Sequence, residues 1–241
     1  MGLSKAGIKY VQSLRIKKFR QKYHQFIVEG DKSVAEVLNS DWNIESLYYC
    51  EGFSAALPPF AEQISPAEME RLSQHQSPQK ALAVVHMPEL SEEVHIAKEG
   101  LTLALDGIQD PGNLGTLIRL CDWYGVKQVI CSLDTVDVFN HKVISGTMGS
   151  FLRVQVQYTD LTEALANSPV PIYGAVMDGE NIHQLKPETN AVLVIGNEGQ
   201  GISDAVMRTL KHRISIPRFG QAESLNAAIA GGILLDRFVG A

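Results

Sequence analysis

No apolar run in this chain approaches the roughly 20 residues that span a bilayer, and Met1–Tyr10 carries no apolar core of the secretory-signal type. The expectation is a cytoplasmic protein with no membrane partner. Cysteine is scarce: Cys50, Cys121 and Cys131 are odd in number and never spaced C-x-x-C, which argues against a disulfide framework and a zinc site. Cys121, in "TLIRLCDWYG", reads as a small buried hydrophobe. The seven histidines form no ligand cluster with the cysteines, so no metal is expected. Also missing are the G-x-G-x-x-G of a dinucleotide fold and the Gly-Lys-Ser/Thr of a phosphate-cradling loop. Those absences set aside a nicotinamide-dependent oxidoreductase and a P-loop protein.

Positive charge is in short supply too. The net charge is −6, a poor match for a polyanionic partner, but the distribution reverses that inference. Residues 1–30 hold Lys5, Lys9, Arg15, Lys17, Lys18, Arg20 and Lys22 against Glu29 alone, a local charge of +6 that leaves −12 on the rest. A basic arm on an acidic body suits a protein whose one face meets a polyanion while the remainder stays soluble. A solvated terminal helix is the alternative.

What is present is an ordinary globular composition, 45% apolar and 20% charged, long enough for a substantial core. The first half reads as short α/β elements. "SLRIKKFRQKYH" is a basic helical segment, "FIVEG" a strand, and "DKSVAEVLN" a helix capped by Asp31. "IESLYYC" and "KALAVVHM" are strands around "SPAEMERLSQ", where Ser65 and Pro66 suit a cap and first turn. The polar stretch from Pro88 to Gly100 reads as a linker.

The second half alternates strands and helices. The strands are "LTLALDG", "QVICS", "FLRVQVQYT", "PIYGAVM", "AVLVIG" and "RISIP". Among them fall the helices "NLGTLIRLCDWYG", "HKVISGTMG", "DLTEALANS", "DAVMRTLK" and "SLNAAIAGGILLDRF". Nearly continuous apolar strands predict a parallel sheet covered on both faces, with ligands held in the loops beyond the strands' carboxyl ends.

Three of those loops carry chemistry. In "LDGIQDPGNLGTLIRL", Pro111 and Gly112 break the chain, Asn113 stands at a helix-cap position and Arg119 follows six residues later. In "AVLVIGNEGQGIS", Gly196, Gly199 and Gly201 let backbone approach a ligand, and Glu198 supplies an acceptor that disfavours a phosphate. In "ISIPRFGQAESLNAAIAGG", Ser224 and Asn226 offer compact polar groups where a helix begins, with Leu225 between them. That helix is small and apolar all round, which predicts burial in the core or against a second subunit.

Read together, Asp110, Pro111, Asn113, Gly115 and Arg119, then "IGNEGQGI", then Ile216, Pro217, Glu223, Ser224, Leu225 and Asn226 resemble the three motifs of the SpoU family, the SPOUT-class RNA 2′-O-ribose methyltransferases. "SGTMGS" is similar to a further family segment, and "SLRIKKFRQKY" with "FIVEGDKSV" is similar to the L30e-like substrate-binding domain of many members. Arg218 and Thr116 depart from the family's usual apolar residue and Ala.

The resemblance implies an L30e-like domain over 1–92 and a methyltransferase domain over 98–241. In the latter, a parallel sheet threads into a deep trefoil knot that holds S-adenosylmethionine. It further implies cofactor contacts at Met177, Gly196, Ile216 and Leu225, and a homodimer through the methyltransferase domain. Arg119 is the residue implied to activate the ribose hydroxyl, with Asn113, Glu198, Ser224 and Asn226 orienting the groups around it. A guanidinium is a donor with a pKa above about 12, so a phosphate clamp that stabilises the forming alkoxide is the chemically milder role. Arg15, Lys17, Lys18, Arg20 and Lys22 would meet RNA phosphates. The RNA is expected to be 23S rRNA, the alternatives being a tRNA or a non-catalytic RNA-binding protein of the same fold.

Overall fold

The computed structural model describes residues 3–89 and 93–240. Two compact units emerge from the packing, one of residues 1–89 with 139–152 and one of residues 90–138 with 153–241. Among the described residues no helix is long and apolar enough to cross a membrane.

The first unit contains α1 (Lys5–Ser13), α2 (Lys17–Tyr23), β1 (Gln25–Glu29), α3 (Asp31–Leu38), β2 (Ile44–Tyr49), β3 (Ala61–Gln63), α4 (Pro66–Leu72) and β4 (Ala81–His86). Its sheet runs β1-β4-β2-β3, antiparallel except between β2 and β3. Alternate strand residues serve opposite faces. Ile27, Leu82 and Val84 pack with Ile8, Val11 and Leu14 of the N-terminal helical segment and with Met69 and Leu72. Phe26, Val28, Ala83 and Val85 pack with Val34 and Val37 of α3. Burial on both sides explains the unbroken apolar run of β4.

Several local expectations need correction. The basic segment is helical only over Lys17–Tyr23, separated at Leu14–Ile16 from a preceding helix over Lys5–Ser13. The cap of α3 is Gly30 at φ 115°, not Asp31, whose Oδ1 instead accepts the Lys80 amide at 3.0 Å. Ser65 and Glu68 do form a reciprocal capping box on α4, with Pro66 opening the helix. Of the linker stretch, residues 90–92 lie outside the described residues, and 93–100 form neither helix nor strand.

The second unit is built from β5 (Leu101–Asp106), α5 (Pro111–Trp123), β6 (Gln128–Cys131), β7 (Gln155–Tyr158), α7 (Leu161–Ala166), β8 (Ile172–Asn181), β9 (Ala191–Gly196), α8 (Asp204–Met207), β10 (His212–Ser215) and α9 (Ala227–Val239). All neighbours in its six-stranded sheet, ordered β10-β8-β9-β5-β6-β7, are parallel. The parallel α/β class read from the sequence is therefore present. On one face Ala104, Ile130, Val192 and Val194 pack against Leu161, Leu165 and Val206 of α7 and α8. On the other side of the unit α5 and α9 lie against each other so closely that a Cβ on Gly231 would fall 2.3 Å from the Leu117 side chain.

The remaining helix, α6 (His141–Thr147), interrupts the second unit in sequence and belongs to the first in space. Phe139, Ile144 and Phe151 around it join the β1 face, where Phe26 lies 4.6 Å from Phe139 and 5.9 Å from Phe151 between ring centroids.

Candidate active site

The order of the sheet reverses around β5. Strands β6 and β7 lie to one side of it, β9, β8 and β10 to the other, and the ladder sets Asp106 beside Gly196 at the carboxyl ends. Such a switch point is where open α/β sheets gather ligand-binding loops.

The loop after β9 folds onto itself. Asn197 and Gly201 exchange backbone bonds of 3.0 and 2.8 Å, and Asn197 Oδ1 accepts the amides of Gly199 and Gln200. The glycines follow from this fold. A Cβ on Gly196 would stand 2.3 Å from the Gly201 backbone, and Gly201 itself has φ 70°. The amides of Gly199, Gln200 and Gly201 thus serve the loop rather than a ligand. Asn197 Nδ2 donates to the Gly107 carbonyl at 2.8 Å, and Asp106 Oδ2 accepts the Ser203 amide at 2.7 Å, tying this loop to the one after β5.

At the head of α5 the cap is Asp110, which accepts the Asn113 amide at 2.8 Å. Asn113 is therefore corrected from cap to third helical residue, and its side chain is left for other work. Its Nδ2 donates to Glu198 Oε1, and its Oδ1 accepts from Asn226 Nδ2 at 2.8 Å. Asn226 caps α9 in turn, its Oδ1 accepting the Ala228 and Ile229 amides at 3.0 and 3.2 Å. One residue from each of the three loops thus joins a single chain of hydrogen bonds. Because Asn113 must donate to a carboxylate and accept from an amide, its orientation is fixed. An open hollow of about 470 Å³ lies alongside, lined among others by Asp110, Asn113, Thr116, Leu120, Asn226 and Gly232.

The other expected residues are not tied into this chain. Arg119 is exposed on the row Gly112, Thr116, Arg119, Trp123 of α5 and makes no ion pair or hydrogen bond among the described residues. Ser224 lies two residues ahead of Asn226, the cap of α9, and is exposed, like Leu225. Ile216 is half-buried just past β10, and Met177 is 65% exposed on β8. Asp110 and Asn197, which hold the two loops in shape, stood in the sequence motifs without a role of their own. For Asp110 the Asp-Pro pair at a helix start was the available signal of a cap.

In the basic arm, Arg20 requires correction. It is only 4% exposed, and its Nη1 donates to the Leu14 and Arg15 carbonyls at 3.0 and 2.9 Å, so it braces the break between α1 and α2. Arg15 Nη2 donates to the Leu72 and Ser73 carbonyls at the end of α4, while Lys17, Lys18 and Lys22 stand exposed. Cys121 and Cys131 are fully buried, and burial pushes their thiols far up, which leaves them inert packing groups. The described residues contain no cluster suited to a metal ion.

The polar side chains at the end of β9 and the start of α9 include the amides of Asn197 and Asn226, the Ser224 hydroxyl and the carboxylates of Glu198 and Glu223, with Ile216 and Leu225 adding apolar surface. That set fits the cationic, adenosine-bearing S-adenosylmethionine and does not fit a pyrophosphate.

Residues 100–236 match the SpoU rRNA Methylase family, and residues 5–83 match the MRM3-like substrate binding domain. The chain is 32% identical over 238 residues to 23S rRNA (guanosine(2553)-2′-O)-methyltransferase RlmP of Bacillus subtilis, covering 95% of this chain and 94% of that one. Among solved structures, a TrmH-family protein from Porphyromonas gingivalis superposes with TM-score 0.88 at 35% identity, over 99% of this chain and 98% of the other. The AdoMet-bound rRNA methyltransferase from Sinorhizobium meliloti gives TM-score 0.86 at 26% identity, over 99% and 95%. With the three loops joined as described, the chain belongs to the SpoU rRNA methylase family and is an S-adenosylmethionine-dependent RNA methyltransferase.

Proposed function

We propose that the chain methylates a ribose 2′-hydroxyl of 23S rRNA in the cytoplasm, working as a homodimer. The observation that carries this reading is the Glu198–Asn113–Asn226 hydrogen-bond chain, which brings the three motif loops to one place. The name of the Bacillus relative and the substrate-binding match over residues 5–83 support the rRNA assignment.

S-adenosylmethionine, when bound, supplies the methyl group from its sulfonium centre. Met177, Gly196, Ile216 and Leu225 are the residues that would hold it. The acceptor hydroxyl is a poor nucleophile while protonated, and charge develops on its oxygen as it reacts. Arg119, with no partner among the described residues, clamps the neighbouring phosphate and stabilises that oxygen. Asn113 keeps Glu198 and Asn226 in register, and with Ser224 they orient the ribose against Arg119. Of the arm, Lys17, Lys18, Lys22 and the exposed part of Arg15 meet RNA phosphates, a contact that carries affinity and little sequence information.

Three architectural readings go with this. Residues 1–92 form an L30e-like module, a reading supported by the four-stranded sheet with helices on both faces. Residues 98–241, apart from 139–152, which pack with the first unit, form the methyltransferase domain, its chain from β9 to α9 threaded as a trefoil knot, an exception to the rule against knots. Support for the knot comes from the position of β9 between β8 and β5 with β10 outside. The dimer forms through the methyltransferase domain, where Trp123 of α5 and Ile229 of α9 leave apolar surface exposed.

Transfer of labelled methyl from S-adenosylmethionine to separated ribosomal and transfer RNA, followed by digestion to nucleosides, tests the proposal. A labelled 2′-O-methyl nucleoside from 23S rRNA is expected. Label confined to tRNA would move the substrate, and no label in any RNA would leave a binding protein.

A further inference from the structure

Outside residues 1–30 the chain carries a net −12, yet from Ala205 to Ala222 it holds Arg208, Lys211, Arg213 and Arg218 and no carboxylate. All four cations are exposed, and none pairs with a carboxylate among the described residues. They run from Arg208 at the end of α8 and Lys211, through Arg213 on β10, the edge strand of the second unit's sheet, to Arg218 in the loop that precedes α9. Every residue from Arg218 to Asn226 in that loop is exposed. Arg218 Nη1 donates back to the Ala222 carbonyl at 3.3 Å and closes the turn, at whose tip Phe219 is 96% exposed. No other large apolar side chain of the described chain stands so far into solvent. The far end of the same loop is Asn226, anchored through Asn113 to the active site.

We infer that the β10 edge and this loop form a second RNA contact, separate from the N-terminal arm, in which the cations track the backbone and Phe219 stacks on an unpaired base beside the target ribose. The inference rests on the RNA methyl transfer proposed above. A ring next to a guanidinium, on a cationic strip, is the combination that holds single-stranded RNA, because every base has a face to stack and every nucleotide a phosphate. Placement seven residues before Asn226 gives the contact a purpose. A stacked neighbour would hold the target ribose in register with the reacting groups.

The test uses the full-length protein with S-adenosylmethionine and unmodified 23S rRNA transcribed in vitro, comparing wild type, Phe219→Ala, Phe219→Trp and the double variant Lys211→Gln/Arg213→Gln. Loss of one stacked base is expected to raise KM for the transcript about tenfold in Phe219→Ala, with kcat lowered less than twofold, and Phe219→Trp should restore the wild-type KM. The double variant should flatten the dependence of log affinity on log salt by about 0.7 for each lost cation. Three results would overturn the inference: an unchanged KM in Phe219→Ala, a calorimetric loss of S-adenosylmethionine affinity there, or a halved mass by light scattering. An unchanged salt slope in the double variant would reduce the cations to guards of an open sheet edge. A wild-type protein that methylates no RNA fails the functional reading itself. An active wild type with indistinguishable variants fails only this contact.

Discussion

Asn113 has no freedom to turn. Its amide nitrogen faces a carboxylate and its oxygen faces an amide, so Glu198, Asn113 and Asn226 stand or fall together. Replacing it by alanine strands both neighbours, and kcat/KM is expected to drop about a hundredfold from misplacement alone, with S-adenosylmethionine still bound in calorimetry. Asn113→Asp should be at least as damaging, because it sets a second carboxylate against Glu198. Arg119 differs in kind, since it braces none of the described residues. Its loss should leave the unfolding midpoint unchanged and cut turnover by two to three orders of magnitude, the order expected for a transition-state charge partner, measured as single-turnover methyl transfer. The residue types of this chain of bonds were legible in the sequence because amides and carboxylates beside helix starts have few bland uses. Arg20 was not legible, because an arginine buried against carbonyls is spelled like one that meets phosphate.

Among the elements, backbone approach sets the tightest constraint. Gly196 ends β9 where the returning loop leaves no room for a Cβ, so Gly196→Ala should lower stability by about 1–3 kcal/mol, seen as a lower denaturant midpoint at unchanged slope. Helix α6 carries a titratable contact. Burial first, then the neighbouring His75, hold His141 below the usual histidine pKa, while Ser145 Oγ lies 3.3 Å from His75 Nε2. With the folded pKa depressed, the unfolded chain binds more protons below about pH 6.5, so stability falls as the pH drops through that region. His141→Gln should flatten this acid limb in denaturation curves measured at several pH values. Strand positions were legible from apolar runs and the α4 cap from Ser65 and Pro66, but α8 and β10 are shorter than their apolar stretches implied. The break between α1 and α2 was hidden because a basic amphipathic stretch reads as one helix until Arg20 is seen bracing the corner.

For the whole molecule, chain order and spatial order disagree at one place. Residues 139–152 complete the core of the first unit with Phe139, Ile144 and Phe151, and nothing in a helical pattern announces which core it will join. The alternation of strands and helices did announce the parallel sheet, and with it the loops at the carboxyl ends. Charge acts at this scale as well. Changing Lys17, Lys18 and Lys22 together to glutamine should weaken RNA binding at every sequence and lower the salt slope by about 2–3, measured by filter binding across a salt series.

The central claim is that the joined loops and Arg119 place a methyl group on a ribose oxygen. Mass spectrometry of nucleosides from unmodified 23S rRNA incubated with S-adenosylmethionine and either wild type or Arg119→Ala tests it most directly. One 2′-O-methyl nucleoside formed by the wild type and absent with the variant is the predicted result. A methyl group on a base, or equal ribose methylation by both proteins, would contradict it.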